Sequence, residues 1–300
     1  MTSPFVVCGA TGNVGSKLAK SLLAAGVSVR AVGRERVRLG PLAATGAEPW
    51  PGDLGDAKFL SRAFSGAGGV FAMIPPKYDT PDIAAYQNGI GEALVSALEN
   101  ARVPRVVTLS SIGAHLFEGT GPIRGLHDFE AKLDRLRDAG VVHLRAAYFM
   151  ENLLWNIPAI RGHGVNGSPI RPDAPIPMVA TKDIADEAAR LLAAKTLSGH
   201  SVRYLLGPRN LTMTEATRIL GHAIGKPDLR YIQFPEEEAR KAMSGMGMSD
   251  SVIEALLEMQ RGFNAGRIRP TQERNASNTS PTTLEAFAQT DFAQSYRAAA

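Results

Sequence analysis

The stretch Phe5-Val6-Val7-Cys8-Gly9-Ala10-Thr11-Gly12-Asn13-Val14-Gly15 decides the fold of this 300-residue chain. Its first four residues form a short apolar run of strand length. The next run, Lys17–Ala25, has apolar residues at helical spacing and stops at Gly26, a natural residue for a left-handed helix cap. The three glycines therefore lie directly between a predicted strand and a predicted helix, which is the context in which a glycine-rich turn binds a nucleotide.

Each glycine of this turn has its own physical role. Gly9 permits the tight turn, Gly12 lets the backbone approach a pyrophosphate, and Gly15 lets the helix pack closely on the strand. The helix N-terminus then offers unpaired amides and a partial positive charge to the phosphates. Glycine-rich turns also occur without a ligand, but the position and spacing here favour a dinucleotide. The contacts predicted for this loop are Gly9, Thr11, Gly12, Asn13, Val14 and Gly15.

The end of the second predicted strand distinguishes between the two nicotinamide cofactors. The run Val29–Arg34 closes with an arginine, where an acidic residue would bind the ribose 2′-hydroxyl of NAD. A guanidinium donates a forked pair of hydrogen bonds to phosphate, so Arg34, together with Arg36, predicts NADP(H). The alternative is that these arginines are only solvated, because they alternate in a polar loop.

Apolar runs of strand length recur along the first half of the chain, with helical segments between most of them. This alternation is typical of a parallel sheet wrapped by helices. We therefore expect an α/β fold with a doubly wound parallel Rossmann sheet. The strands are expected at Phe5–Cys8, Val27–Val32, Ala47–Trp50, Gly69–Ile74, Val106–Leu109 and Val141–Leu144.

The second half of the chain has a different pattern, with short apolar pieces separated by Pro and Gly clusters. Residues 1–150 are predicted to form the NADP-binding Rossmann domain, and residues 151–300 a smaller, mostly helical substrate-covering region. Ser201–Leu206 is expected to return to the Rossmann sheet as a further strand. Thr212 and Glu215 have the spacing of a capping box. Methionines between residues 243 and 259 indicate either an adaptable helical lid or core side chains that fill gaps.

Composition limits the other classes to which the chain could belong. A content of 44% hydrophobic and 21% charged residues is that of a globular chain with a core. The single cysteine, Cys8, cannot form an internal disulfide, and no metal site is predicted. The net charge of +4, with bases and acids interleaved, gives no support for nucleic acid. Without a long uncharged apolar run no membrane span is expected, so we predict a cytoplasmic protein with a small-molecule substrate and leave homo-oligomerisation open.

Further cofactor contacts are expected where the later strands end, because ligands of such sheets bind at the carboxyl ends of the strands. Asp53 follows the third strand and is placed to accept a hydrogen bond from the adenine amino group, with Leu54 beside it. Ile74 ends the fourth strand and Pro75 follows it near the nicotinamide ribose, and Ser110 follows the fifth strand. Aspartate and proline just after a strand are also ordinary turn residues.

Taken together, these segments resemble the NmrA-like branch of the atypical short-chain dehydrogenase/reductases. The resemblance spans most of the chain, and the segment Phe149–Asn152 is more specific to this branch than the glycine motif is. It implies NAD(P) binding and places Tyr148, Glu151 and Asn152 along the nicotinamide and substrate cleft. The segments that carry it are Gly9–Gly15, Arg34, Gly52–Leu54, Ser110-Ser111, Leu144–Asn152, Ile176–Ile184 and Gly207–Glu215.

The groups expected for proton transfer are incomplete. A typical short-chain dehydrogenase uses Tyr-x-x-x-Lys, in which the lysine lowers the pKa of the phenol, and no tyrosine here has that lysine. The resemblance places the lysine of other NmrA-like reductases at Phe129. We predict His127 as the proton donor, because an unperturbed imidazole titrates near neutral pH. His127 is alternatively an exposed helix-start residue, and Lys132 is expected to be a solvated helix lysine.

The remaining catalytic candidates lie at the ends of central strands. Ser110 and Ser111 are predicted to orient a substrate carbonyl or the cofactor amide, although such serines also cap turns. Tyr148 and Asn152 complete the predicted catalytic set, and Asn152 equally suits a helix start. Nearby apolar residues are candidates either for a pocket wall or for the core, which is their more frequent place. These are Met150, Leu153, Trp155, Met178 and Phe234.

Two functions are compatible with these predicted cofactor-binding and catalytic residues. The first is an NADPH-dependent reductase of a small apolar carbonyl, quinone or activated alkene, for which orientation matters more than acid catalysis. The second is an NADP(H)-sensing regulator that binds a protein partner without turnover, which the missing Tyr-Lys pair favours. The Asn152 segment and the clustered aromatic residues indicate a substrate pocket, so we expect the reductase.

Overall fold

A seven-stranded parallel sheet forms the centre of the protein in the computed structural model, which describes residues 3–194 and 197–299. The strands of this sheet lie in the spatial order β3-β2-β1-β4-β5-β6-β10, and every neighbouring pair is parallel. Their bounds are β1 Phe5–Cys8, β2 Val29–Gly33, β3 Glu48–Pro51, β4 Gly69–Ala72, β5 Arg105–Ser111, β6 Gly140–Ala146 and β10 His200–Leu205. This is the doubly wound Rossmann order, so the predicted fold class is confirmed.

Helices cover both faces of this sheet, and each face has its own buried apolar core. The helices α1 and α7 pack against one another on one face, while α3, α4 and α5 pack side by side on the other. The helix bounds in the first half are α1 Asn13–Ala24, α2 Arg36–Ala43, α3 Ala57–Phe64, α4 Ile83–Asn100 and α5 Ile123–Leu133. Helix α7 covers Thr181–Leu192.

The second half adds two small sheets and a set of helices at the carboxyl edge of the large sheet. Strands β7 Tyr148–Phe149, β9 Ile176–Val179 and β11 Asn210–Leu211 form one, and β8 Val165–Ser168 with β12 Arg230–Gln233 forms the other. A 3₁₀ turn covers Met150–Asn156. The helices are α6 Ile157–His163, α8 Met213–Ala223, α9 Glu236–Gly245, α10 Asp250–Asn264, α11 Leu284–Phe287 and α12 Ala293–Ala298, the last two joined by a π turn.

Most predicted elements occur with shifted ends. The strand expected at Ser201–Leu206 is β10, and it pairs with β6. The predicted capping box is present, since the Thr212 hydroxyl accepts from the Glu215 amide at 3.1 Å and the Glu215 carboxylate accepts from the Thr212 amide at 2.8 Å. Strand β5 is longer than expected, so Ser110 and Ser111 are its last two residues. Within the described ranges, no helix is both long and apolar enough to span a bilayer.

Glu151 joins the second half of the chain to the Rossmann sheet. Its buried carboxylate accepts hydrogen bonds from the Thr181 amide at 3.1 and 3.0 Å and from the Thr181 hydroxyl, so it caps the N-terminus of α7 from a distant segment. Lys17 of α1 reaches the same carboxylate at 3.1 Å and the Thr181 hydroxyl at 2.6 Å. The acid of the predicted cleft segment therefore has a structural role.

We expect Glu151→Ala to lower the free energy of unfolding by about 2–4 kcal/mol, because it leaves Lys17 and the Thr181 amide without their acceptor. Urea denaturation followed by circular dichroism measures this. Glu237→Ala is the control, since Glu237 is 68% exposed beside Lys241, and it should change stability by less than about 0.5 kcal/mol. Equal losses in the two variants would contradict the structural role of Glu151.

Candidate functional site: a glycine turn and an apolar cleft

The turn between β1 and α1 has the close backbone approach that its glycines predict. Gly9 has a φ of +64°, a left-handed conformation that favours glycine. A Cβ atom added at Gly15 would lie 2.3 Å from the carbonyl oxygen of Gly9, so only glycine allows this contact between helix and turn. The α1 N-terminus has no side-chain cap and no acidic residue in its first turn, and Gly12 and Asn13 are exposed. Its free amides therefore suit an anion such as a pyrophosphate.

Two arginines at the end of β2 are available to a further phosphate. Arg34 lies in the turn after β2 and Arg36 is the first residue of α2, and both are exposed. Their neighbours are engaged, since Arg30 donates to Glu48 at 3.2 Å and Arg38 lies 3.9 Å from Glu35. The position fits a 2′-phosphate on an adenosine ribose.

The residues after β3 lie near the same end of the site. Asp53 is exposed, and its Oδ1 accepts a hydrogen bond from the Gly55 amide at 2.7 Å, which leaves the other carboxylate oxygen free. Leu54 packs in the core on the α4 side of the sheet, so only its backbone is available to a ligand. Burial raises the pKa of Tyr86, Asp53 raises it further, and Arg34 lowers it, which shows that both charges lie near this phenol.

An apolar cleft of ≈ 280 Å³ opens at the carboxyl ends of β4, β5 and β6. Helix α10 forms one wall, and the starts of α4 and α5 form the others. The glycine turn adjoins the cleft, because Gly9 lies against Met73, the residue before Ile74 at the end of β4. The cleft is lined by Ile74–Tyr78, Ile83, Tyr86, Gln87, Leu109–Ser111, Pro122, Ile123, Leu126, Ala147–Phe149, Asn152, Val252, Leu256, Met259 and Phe263.

The cleft brings together most of the catalytic and nicotinamide-end residues proposed from the sequence. Six of them line it, namely Ile74, Pro75, Ser110, Ser111, Tyr148 and Asn152. His127 does not, because its neighbour Leu126 occupies the cleft face of α5. The His127 Nδ1 lies 2.9 Å from the carbonyl oxygen of Ala114 and donates to it. The proton-donor role of His127 remains a prediction that this placement does not favour.

Lys132, and Phe129 at the position of the family lysine, also lie outside the cleft. Lys132 donates to Asn88 at 2.8 Å and lies 3.4 Å from Glu92, both on α4. Phe129, at the position where related reductases keep a lysine, is buried in the core between the sheet and α4. Neither side chain is among those that line the cleft.

Tyr148 contributes an apolar ring and a neutral hydroxyl to the site. Its ring packs edge-on against Phe263 of α10, with 5.9 Å between the ring centroids. Burial raises the pKa of Tyr148, and the nearby Tyr231 raises it further. The phenol therefore keeps its proton at physiological pH and is unsuited to act as a base.

A buried ion pair lies beneath the cleft, and the sequence did not predict it. Glu130 of α5 is bound by Arg145 of β6 through Nε to Oε1 at 3.0 Å and Nη2 to Oε2 at 2.5 Å. Ser110 donates to Oε1 of the same carboxylate at 2.5 Å. Arg145 lies in the segment already associated with the cleft, but no spacing rule joins it to Glu130, because the pairing depends on how α5 packs on the sheet.

The apolar residues near the 3₁₀ turn divide between core and surface. Met150, Leu153 and Met178 are buried in the core, the second of the two alternatives foreseen for them. Trp155 is 54% exposed and packs edge-on against Tyr78 at the cleft rim, with 5.6 Å between the ring centroids. Of the methionines between residues 243 and 259, Met259 of α10 lines the cleft and the others do not, so the choice between a lid and gap-filling core side chains stays a prediction.

Metal ligands do not gather anywhere in residues 3–194 and 197–299, where no group of three His, Cys, Asp or Glu side chains is arranged to hold an ion. Cys8 is buried at the end of β1, and burial raises the pKa of its thiol. It is therefore unsuited to act as a nucleophile.

The strand order, the glycine turn at the end of β1 and the cleft at the carboxyl ends of the central strands define a Rossmann protein of the dinucleotide-binding type. Within that class the chain belongs to the NmrA-like family, whose profile matches residues 1–288. The resemblance seen in the sequence is thereby confirmed.

Several characterised proteins are similar to this chain. An NAD(P)H azoreductase of Xenophilus azovorans is 29% identical over 258 residues, which cover 85% of each chain. A quinone oxidoreductase of Escherichia coli, described as NADPH-dependent and solved with NADPH, superposes with a TM-score of 0.80 at 22% identity over 96% of this chain and 99% of that one. The triphenylmethane reductase of a Citrobacter species, solved with NADP(H), has a TM-score of 0.76 at 20% identity, with coverages of 96% and 99%.

We expect Gly15→Ala to lower the free energy of unfolding by about 1–3 kcal/mol, because the new methyl group meets the Gly9 carbonyl oxygen. Gly89→Ala is the matched control. Gly89 lies exposed inside α4 with open space around its Cβ position, so alanine there should raise stability by about 0.5–1 kcal/mol. Thermal denaturation of both variants tests whether their stabilities change in opposite directions. A stabilised Gly15→Ala protein would contradict the close approach of α1 to the Gly9 carbonyl oxygen.

Proposed function

We propose that this protein is an NADPH-dependent reductase that acts on a small, flat apolar acceptor such as a quinone, a carbonyl or an activated alkene. The observation that carries the proposal is the apolar cleft beside the glycine turn, at the edge of the sheet where such folds bind ligands. The names of the similar azoreductase and quinone oxidoreductase support it. In this proposal residues 1–150 bind the cofactor and residues 151–300 cover the substrate.

The fit of the residues to NADP(H) rests on features of this structure. The free amides at the start of α1 would hold the pyrophosphate, and the exposed Arg34 and Arg36 would hold the 2′-phosphate. Asp53 would take the adenine end, while Ile74 and Pro75 would border the nicotinamide ribose. When bound, NADPH supplies a hydride, and a proton is required as well to complete reduction of the acceptor.

The protein itself mainly binds and orients the acceptor. Aromatic and aliphatic side chains of α10 and the cleft floor exclude water and favour a flat apolar molecule. Asn152 is half-buried and offers an amide to an acceptor oxygen, and Tyr148 keeps its phenolic proton. Acceptors that need little acid assistance tolerate the absence of a Tyr-Lys pair, and water can supply their proton.

Arg34→Ala should weaken NADPH binding by roughly ten- to a hundredfold and leave NADH binding nearly unchanged, because only NADPH carries the 2′-phosphate. Fluorescence titration of both cofactors measures this. Arg38→Ala is the control, since Arg38 lies beside Glu35 and should leave both affinities unchanged. Equal or weaker binding of NADPH than of NADH by the wild type would reject the cofactor assignment.

Oxidation of NADPH in the presence of a panel of quinones, aldehydes, imines and azo dyes tests the activity. We expect turnover with at least one planar apolar acceptor. Acceptors without an uncharged face should not be reduced, since the cleft wall is apolar. Tight NADPH binding without turnover on any acceptor would instead support the regulator that senses the cofactor.

Asn152→Ala should lower kcat/KM by about tenfold through the loss of a hydrogen bond to the acceptor. His127→Ala should have less than about a twofold effect, because the imidazole bonds to Ala114 outside the cleft. Steady-state kinetics with the best acceptor measures kcat/KM for both variants. A large loss in His127→Ala, with Asn152→Ala unaffected, would restore the proton-donor role predicted from the sequence and overturn this placement.

A further inference from the structure

Three polar side chains from three elements meet on the α5 face of the sheet, directly under the cleft. Ser110 of β5 and Arg145 of β6 are partners in the parallel register, so their side chains lie next to each other. Glu130 of α5 bridges them, with one oxygen shared between Ser110 and Arg145 and the other bound to Arg145 alone. The Ser110 and Glu130 residues are only 3% and 5% exposed, respectively.

The arrangement fixes the direction of the hydrogen bond between Ser110 and Glu130. Burial lowers the pKa of the Arg145 guanidinium, but the hydrogen bonds and charge attraction to Glu130, together with the contact to Tyr204, outweigh this effect, and the net shift is upward. The guanidinium has no acceptor atom and donates to both oxygens of Glu130, so the Glu130 side chain is the hydrogen-bond acceptor in this cluster. The single hydrogen of the Ser110 hydroxyl points at Glu130, so this hydroxyl has only oxygen lone pairs left for a further partner.

Further contacts hold the guanidinium in place. Arg145 Nη1 donates to the Tyr204 hydroxyl at 3.1 Å, and that hydroxyl lies 2.9 Å from the hydroxyl of Thr271. The guanidinium also lies 5.8 Å from the centre of the Tyr204 ring. A buried ion pair is a weak source of stability, since well-packed apolar residues often replace it without loss. The cost of burying these charges points to a role other than holding the fold together.

We propose that Glu130 and Arg145 are positioning residues that make Ser110 a dedicated hydrogen-bond acceptor for the carboxamide amino group of the nicotinamide. The inference rests on the proposed function, because it requires NADPH in the cleft. A substrate carbonyl has no hydrogen to donate, whereas the carboxamide has two. The hydroxyl of the neighbouring Ser111 is bound to a backbone carbonyl, that of Ile112 at 2.9 Å, and not to the Glu130 and Arg145 pair.

The experiment compares the binding of NADPH with that of its reduced 3-acetylpyridine analogue, in which a methyl group replaces the carboxamide amino group. The wild type should bind NADPH about tenfold more tightly than the analogue, because only NADPH donates to Ser110. In Ser110→Ala the ratio of the two dissociation constants should fall toward one. Ser61→Ala is the matched control, because Ser61 lies on α3 outside the cleft and its hydroxyl donates to the Ala57 carbonyl at 2.8 Å, so this variant should retain the wild-type ratio. Calorimetric titration gives each constant without turnover.

The positioning role is tested on Glu130. Glu130→Gln keeps the shape of the side chain, but its amide can donate a hydrogen bond to Ser110. The serine hydrogen is then free, so the preference for NADPH over the analogue should fall by at least threefold. That variant leaves Arg145 without its charge partner and risks misfolding, so the double variant Glu130→Met with Arg145→Met provides a folded apolar replacement. The same loss of preference is expected in the double variant, whose stability is checked by thermal denaturation.

The outcomes separate the two proposals. Wild-type protein that binds neither dinucleotide rejects the proposed function. Wild-type protein that binds both equally rejects only the role of Ser110. A ratio that falls in Ser110→Ala but stays at the wild-type value in the folded Glu130 variants shows that Glu130 and Arg145 are merely structural, which overturns the positioning role.

Discussion

The contact on which the rest of the structure depends is the approach of α1 to the end of β1. Gly15 lies so close to the Gly9 carbonyl oxygen that no side chain fits between them. This contact aims the free amides of α1 at the carboxyl edge of the sheet, the edge at which the cleft opens. Helix α7 then packs beside α1, and Lys17 and Thr181 share the carboxylate of Glu151. The second half of the chain is thus attached to the same helix that would bind the cofactor.

The site combines an apolar surface with a few polar groups whose hydrogen bonds are already assigned. Helix α10 closes the cleft with aromatic and aliphatic side chains. Beneath it, Ser110 is bound to Glu130, and Ser111 is bound to the backbone. The protein therefore offers binding and orientation more readily than acid catalysis, which agrees with the absence of a Tyr-x-x-x-Lys sequence.

Sequence reasoning located the fold and the glycine turn well, because both depend on neighbours a few positions apart. Strand runs, helix periods and the capping box at Thr212 are local patterns, and the structure contains them. The role of Glu151 was harder to foresee, since its partners Lys17 and Thr181 lie 134 and 30 residues away. The contribution of α10 to the cleft was foreseen only as one of two alternatives for its methionines, because an apolar helix face does not reveal what it covers.

The sequence by itself determined that a parallel sheet carries a glycine turn with an arginine at the end of the second strand, which is enough to indicate NADP(H). Only the tertiary structure decided which side chains face the cleft. Successive residues of a helix point about 100° apart, so the packing angle of α5 places Leu126 in the cleft and turns His127 toward Ala114. The same packing brings Glu130 onto Ser110 and Arg145, a meeting of three elements that no spacing along the chain encodes.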